Sequence, residues 1–293
     1  MFNKCQLNLF FLLVLNLTNC NASAPFICLN RPYATACYEG AWIRALGSTF
    51  ASFQGIRYAQ PPLNELRFKP PIPYYDEGGI YDVSKESNIT CVQLKNGVAL
   101  GQEDCLFLNV YVPDWVLDWV LPSPILPVMV WIHGGGLQTG SNSYAFYGPQ
   151  HFTERDVIIV SINYRLGPFG FFSMGNDIVP GNTGFRDQVM ALSWVQENIA
   201  YFGGNPKMVT IFGESAGSYS VALQLISPLS KGLFHRAILE SGTALAPASS
   251  PNTPEHALRY ANMSYERLGC DDESVYPFDT LICMQKKEIG NRN

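Results

Sequence analysis

Two spacings of hydrophobic residues, the alternating one of strands and the three-and-four one of helices, take turns along the chain. Over residues 41–58 alternating apolar side chains predict an antiparallel start to a sheet, closed by a turn at Pro61-Pro62. Over 106–112, Leu, Leu, Val and Val alternate with Phe, Asn and Tyr, which predicts a strand with both faces at least partly covered. Residues 114–127 hold three prolines and read as a loop. The runs Pro127-Val-Met-Val-Trp-Ile and Asp156-Val-Ile-Ile-Val-Ser-Ile-Asn-Tyr are continuous and apolar, as in strands buried within a parallel sheet. Phe185, Val189, Leu192, Val195 and Ile199 share one helical face, and Gly203-Gly204 ends that helix. Met208-Val-Thr-Ile-Phe predicts the next strand; after a short turn, Ala216, Val221, Ala222 and Leu225 recur at helical spacing until Ser227-Pro228. Residues 236–240 predict a last strand, expected inside the sheet and so left with one unpaired side, 247–254 a loop, 256–268 a helix with a polar face, and 270–283 a loop.

Chemistry concentrates at two of these strand ends. Gly213-Glu-Ser-Ala-Gly217 is a G-x-S-x-G turn between a strand and a helix, the setting in which a serine sits on strained backbone with its hydroxyl projecting from the strand's carboxyl end. Ser215 is therefore the candidate nucleophile. Upstream, the strand from Pro127 ends in His133 and three glycines, Gly134 to Gly136, a backbone able to turn N–H groups toward a bound oxyanion. A Gly-Ser turn or a flexible glycine run by itself would have no chemistry. Both together, in this order, point to acyl transfer.

In these residues the chain resembles the type B carboxylesterases and cholinesterases of the α/β-hydrolase fold. The matching segments are GIRYAQPP (55–62), LRF (66–68), EDCLFLNVYVP (103–113), WIHGGG (131–136), INYRLG (162–167), GNTGFRDQ (181–188), FGGNP (202–206) and FGESAG (212–217), and the likeness runs from about 41 to 283. The resemblance implies the α/β class, an α/β-hydrolase fold with a mostly parallel, doubly wound central sheet, and a carboxylic ester hydrolase that works through an acyl-enzyme on Ser215. It also implies an oxyanion hole from the N–H groups of Gly135, Gly136 and Ala216, and structural pairings of Arg67 with Glu103 and of Arg165 with Asp187. It places the catalytic acid and histidine after the serine and beyond Asn293, so the expectation is a partial domain over 25–293 that is inactive by itself. His133, His151, His235 and His256 do not match the position of the family's base. A non-catalytic, cholinesterase-like adhesion or ligand-binding protein is the alternative; such relatives commonly lose the serine that stands here at 215. The segment 92–104 is short and lacks tryptophan, which points to general carboxylesterase chemistry over choline esters.

The bulk composition adds the compartment. The 293 residues, 47% hydrophobic and 15% charged, suffice for one large domain. Residues 1–24 read as a secretory signal: Lys4, an apolar stretch over 7–17 and the small residues Ala22-Ser-Ala24. Asn8 and Asn16 interrupt that stretch, so no membrane span is expected once it is removed. The remaining chain carries a net charge of about −6, which disfavours nucleic acid as a partner. Six cysteines follow the signal; of their fifteen possible pairings, proximity favours Cys28 with Cys37, Cys91 with Cys105 and Cys270 with Cys283. The last two match loop-closing bridges of the family. Neither a metal nor an organic cofactor is expected. Sequons at Asn88 and Asn262, and one at Asn21 within the signal region, mark candidate glycosylation sites of a secreted protein. The expected partner is a small-molecule ester, and oligomeric state is not legible.

Overall fold

The computed structural model describes residues 23–30, 32, 34–117, 126–152, 155–245, 253–271 and 277–288. The expected signal peptide up to residue 22, with Asn21, and the loop over 247–252 lie outside these residues. In chain order the elements are β1 (Phe26–Asn30), β2 (Thr35–Glu39), β3 (Ala41–Ala45), β4 (Ser48–Arg57), β5 (Gly79–Asp82), β6 (Gln93–Lys95), β7 (Val98–Leu100), β8 (Phe107–Pro113), α1 (Asp114–Leu117) and β9 (Leu126–Ile132). There follow α2 (Tyr144–Tyr147), β10 (Ile158–Ile162), α3 (Gly167–Phe171), α4 (Thr183–Asn198), β11 (Gly204–Glu214), α5 (Ala216–Ile226), β12 (Arg236–Glu240), α6 (Pro254–Leu268) and α7 (Pro277–Gln285).

The central sheet has the order β12-β11-β9-β10-β8-β4-β3. Its β3, β4, β8 and β10 neighbours pair antiparallel, and β10 with β9, β9 with β11 and β11 with β12 pair parallel. The sheet is thus a mixed α/β sheet. The alternating run at 41–58 forms its antiparallel side, and the continuous apolar runs form its parallel side. All five residues of β10 are buried. Along β9, Val128, Val130 and Ile132 join a core with Leu192, Val195, Ile199 and Phe202, while Met129 joins a second cluster with Phe50, Tyr111 and Ile159. This is the period of two that the pleat imposes, with each fully buried aliphatic side chain contributing about 1.5–3 kcal/mol. The helix expected from Phe185 to Ile199 is α4 with a following turn of 3₁₀ helix, ended by Gly203 at φ 81°.

Among the described residues β12 is an edge strand of the sheet, paired to β11 on one side, with Ile238 and Leu239 exposed. Of the segment expected as a loop between Cys270 and Cys283, residues 277–283 are helical. In α7, Leu281 and Met284 bury against Phe68, Met174 and Val179, a helical spacing that the flanking cysteines obscured in the sequence. Disulfides join Cys28 to Cys37, directly opposite each other on β1 and β2, Cys91 to Cys105, and Cys270 to Cys283. Arg165 Nε and Nη2 donate to the two Asp187 carboxylate oxygens, both at 2.7 Å, with both side chains buried. Arg67 donates to Glu103 at 2.6 and 2.5 Å, and its Nη1 reaches the carbonyls of Met284 and Lys287 at 3.1 and 2.7 Å. Both arginine pairs therefore have structural partners. Among the described residues no helix is long and apolar enough to cross a membrane.

Candidate active site

Ser215 sits between the end of β11 and the start of α5 with φ 56° and ψ −119°, a conformation that costs a non-glycine residue about 1–3 kcal/mol. The surroundings over-determine it. Its N–H donates to the Glu240 carbonyl at 2.9 Å, and its carbonyl accepts from the Tyr219 N–H at 2.9 Å. A Cβ on Gly242 would lie 2.5 Å from the Ser215 carbonyl oxygen. A Cβ on Gly213 would lie 2.6 Å from the Ile132 carbonyl oxygen, and one on Gly217 would press still closer to that same oxygen. The glycines of the motif thus let helix, turn and the neighbouring β9 pack backbone to backbone. Ser215 itself is half-buried.

The glycine run leaves β9 beside this turn. A Cβ on Gly134 would stand 2.7 Å from the Glu214 carbonyl oxygen and 3.3 Å from Ser215 Cβ. Gly135, at φ 106°, uses its carbonyl to accept the N–H groups of Gln138 and Thr139, both at 3.0 Å, and the Thr139 hydroxyl at 3.2 Å. Those bonds leave the N–H groups of Gly135 and Gly136 outside the turn's own hydrogen bonding, and both glycines are exposed. The Ala216 N–H, first in α5, lacks an intrahelical acceptor, as the opening amides of any helix do, and carries the positive end of the helix dipole. The Ser215 turn, the glycine run and the first amide of α5 thus lie at adjoining strand ends, a layout that could serve to hold an anionic oxygen next to a serine.

The histidines do other work. His133 is 1% exposed; its Nδ1 lies 2.9 Å from the Gly134 carbonyl, and its ring stacks on Tyr164 with centroids 4.5 Å apart. Burial holds its pKa down at about 4, so the ring is neutral and fills space under the glycine turn. His235 Nδ1 accepts the Val209 N–H at 3.4 Å. Among the described residues none of the four histidines is hydrogen-bonded to Ser215. Tyr147 packs on Trp131 near the same strand ends, and burial first and the Glu214 charge second raise its pKa. A concavity of about 550 Å³, bordered by Lys69, Asp177, Arg186 and Phe278, is not lined by any residue of the Ser215 turn.

Sequence reasoning missed Glu240 and Gly242, whose backbone clamps Ser215, and Gly140, whose Cα packs on His133. A glycine two residues past a strand end, as at 242, was the available signal.

The Carboxylesterase family model matches residues 39–291. The chain belongs to the carboxylesterase family. Over 244 residues it is 50% identical to a juvenile hormone esterase of Tribolium castaneum, covering 82% of this chain and 40% of the relative. It is 42% identical over 266 residues to a cholinesterase of Mus musculus, covering 85% and 42%. It is 43% identical over 250 residues to a carboxylic ester hydrolase of Bombus ignitus, covering 82% and 42%. The chain spans about two fifths of the length of these relatives. Family membership carries the α/β-hydrolase fold, to which the mixed sheet and its helices correspond.

Proposed function

We propose that the protein is a secreted serine carboxylesterase that cleaves small-molecule carboxylic esters through an acyl-enzyme. Ser215 Oγ attacks the ester carbonyl, the carbonyl oxygen becomes an oxyanion held by the N–H groups of Gly135, Gly136 and Ala216, and the alcohol leaves. Water then attacks the acyl-serine and releases the acid. The observation that carries this reading is the strained Ser215 backbone, held by Glu240, Tyr219 and the glycine contacts directly against the Gly134 turn. Strain of this kind persists only where surrounding structure enforces it. The printed names of the relatives, an esterase, a cholinesterase and a carboxylic ester hydrolase, support the same reaction class.

A serine hydroxyl needs a base to remove its proton, and the reading assigns that base and its acid partner to residues outside those described. The 293 residues by themselves are then expected to turn over no ester. Residues 25–293 are proposed as part of the family's catalytic domain, following a signal peptide over 1–24. Three disulfides fit an oxidising compartment, and the exposed Asn88 and Asn262 are proposed glycan acceptors.

The test is labelling of the protein secreted from its whole coding sequence with a fluorophosphonate, followed by mapping of the modified peptide. Modification at Ser215, lost together with ester hydrolysis in Ser215→Ala, is the expected result. An unreactive Ser215 would return the chain to a non-catalytic binding role.

A further inference from the structure

The amides proposed to hold the oxyanion belong to a turn, residues 134–140, and a turn keeps its shape only if something outside it fixes both ends. One end is continuous with β9. At the other end, the Gln93 side chain grips Gly140 on both of its backbone groups: Gln93 Nε2 donates to the Gly140 carbonyl at 3.0 Å, and Gln93 Oε1 accepts the Gly140 N–H at 3.0 Å. Gln93 Nε2 also donates to the Cys91 carbonyl at 3.1 Å, so the amide is tied to the chain beside the Cys91–Cys105 disulfide. A planar amide that pairs with a peptide's N–H and C=O together imitates a strand partner, and it fixes orientation as well as distance.

Gly140 has no freedom to absorb a loss of that grip. It has φ 113°, and a Cβ there would lie 2.5 Å from His133 Nδ1 and 2.6 Å from the Gly134 carbonyl oxygen. Its Cα therefore rests on the same peptide from which Gly135 and Gly136 lead off, and Gly134 in turn rests on Ser215. Midway, the Leu137 carbonyl accepts the Gly167 N–H at 2.7 Å, which secures the crown of the turn but not its far end.

We infer that Gln93, reaching across from the disulfide-closed loop, is a positioning residue of the oxyanion hole: by clasping Gly140 it fixes the direction of the Gly135 and Gly136 amides. This inference rests on the esterase reading above. Gln93 does not touch the reacting atoms. Its effect falls on the state in which the oxygen carries full negative charge, because misdirected amides lose most where charge is greatest.

The experiment uses the protein secreted from its whole coding sequence, with Gln93→Met, which keeps the volume and removes both bonds, and Gln93→Glu, which keeps the acceptor for the Gly140 N–H. Expected for Gln93→Met are a kcat at least tenfold lower on a short-chain ester with KM within threefold, and a parallel loss of affinity for a trifluoromethyl ketone, whose serine adduct carries the oxyanion. Hydrogen exchange over 135–138 should quicken, and Gln93→Glu should fall between Gln93→Met and the unaltered protein. An unchanged kcat and ketone affinity, or a loss confined to KM, overturns the inference even if the melting temperature drops. Ser215→Ala run alongside separates the two levels: if it retains hydrolysis, or if the unaltered protein neither hydrolyses esters nor labels at Ser215, the esterase reading itself fails.

Discussion

The Ser215 turn and the α6–α7 unit are both held in place firmly, by opposite means. At the turn, backbone lies on backbone: Gly134, Gly213, Gly217 and Gly242 each approach a main-chain carbonyl oxygen so closely that a single methyl would not fit. At the α6–α7 unit the attachments are side chains. Arg67 reaches the Met284 and Lys287 carbonyls, Gln285 Nε2 donates to the carbonyls of Glu65 and Arg67 at 3.0 and 3.1 Å, and Leu281 and Met284 enter a small apolar cluster. Side-chain anchoring leaves much of α6 exposed, including Leu258 and Tyr260. A contact between backbones cannot be relaxed by a rotamer change, so the first region is built for fixed geometry and the second only for attachment.

The largest effect that would separate them is at Gly217, where an added Cβ meets the Ile132 carbonyl oxygen inside van der Waals contact and the His133 carbonyl at 3.0 Å. Gly217→Ala is expected to cost more than about 4 kcal/mol and to abolish soluble secretion. Gly136→Ala, at φ 63° with open space around its Cα, should cost only about 1–2 kcal/mol and leave a measurable melting transition. Next is Asp187→Asn, which leaves the buried Arg165 guanidinium without its counter-charge and is expected to cost about 4 kcal/mol in urea unfolding.

The pH response of His133 gives a third measure. Its pKa is about 4 in the folded protein against an ordinary 6.5, so below pH 6.5 the unfolded chain takes up a proton that the folded protein refuses. Stability is full above pH 6.5, falls as pH drops toward 4 and levels off below it, a loss of up to about 3 kcal/mol that His133→Phe should remove from the pH profile of unfolding. The most local effect is expected for Arg67→Met, about 2 kcal/mol. Hydrogen exchange should quicken across α7 while β9 and β11 keep their protection; a uniform rise across both would erase the distinction between the two regions.

The legibility of the chain follows the same division. The strands 127–132, 156–164 and 208–212 and the helix from Phe185 were readable because a buried strand or a helix face repeats within a few residues, and local period is what sequence displays. α7 was not readable as a helix, because its two buried apolar residues, Leu281 and Met284, answer to Phe68 and Val179, far away in the chain. In the candidate site, Ser215 and the glycines at 134–136 announced themselves by residue type at a strand end. Gln93 did not, since a glutamine opening a three-residue strand has no pattern, and only the fold brings it to Gly140.

By itself the sequence carried the α/β class and the family, favoured three cysteine pairs by proximity and marked two strand ends as candidates for chemistry. The tertiary structure decided that the sheet is half antiparallel and that Ser215 is wedged by the backbone at Glu240 and Gly242. It also decided that an amide beside the Cys91–Cys105 disulfide braces the glycine turn. The physical reason is one of range. Periodicity and motif are properties of neighbours along the chain, whereas the direction of an N–H group is set by whatever presses on it from elsewhere in space.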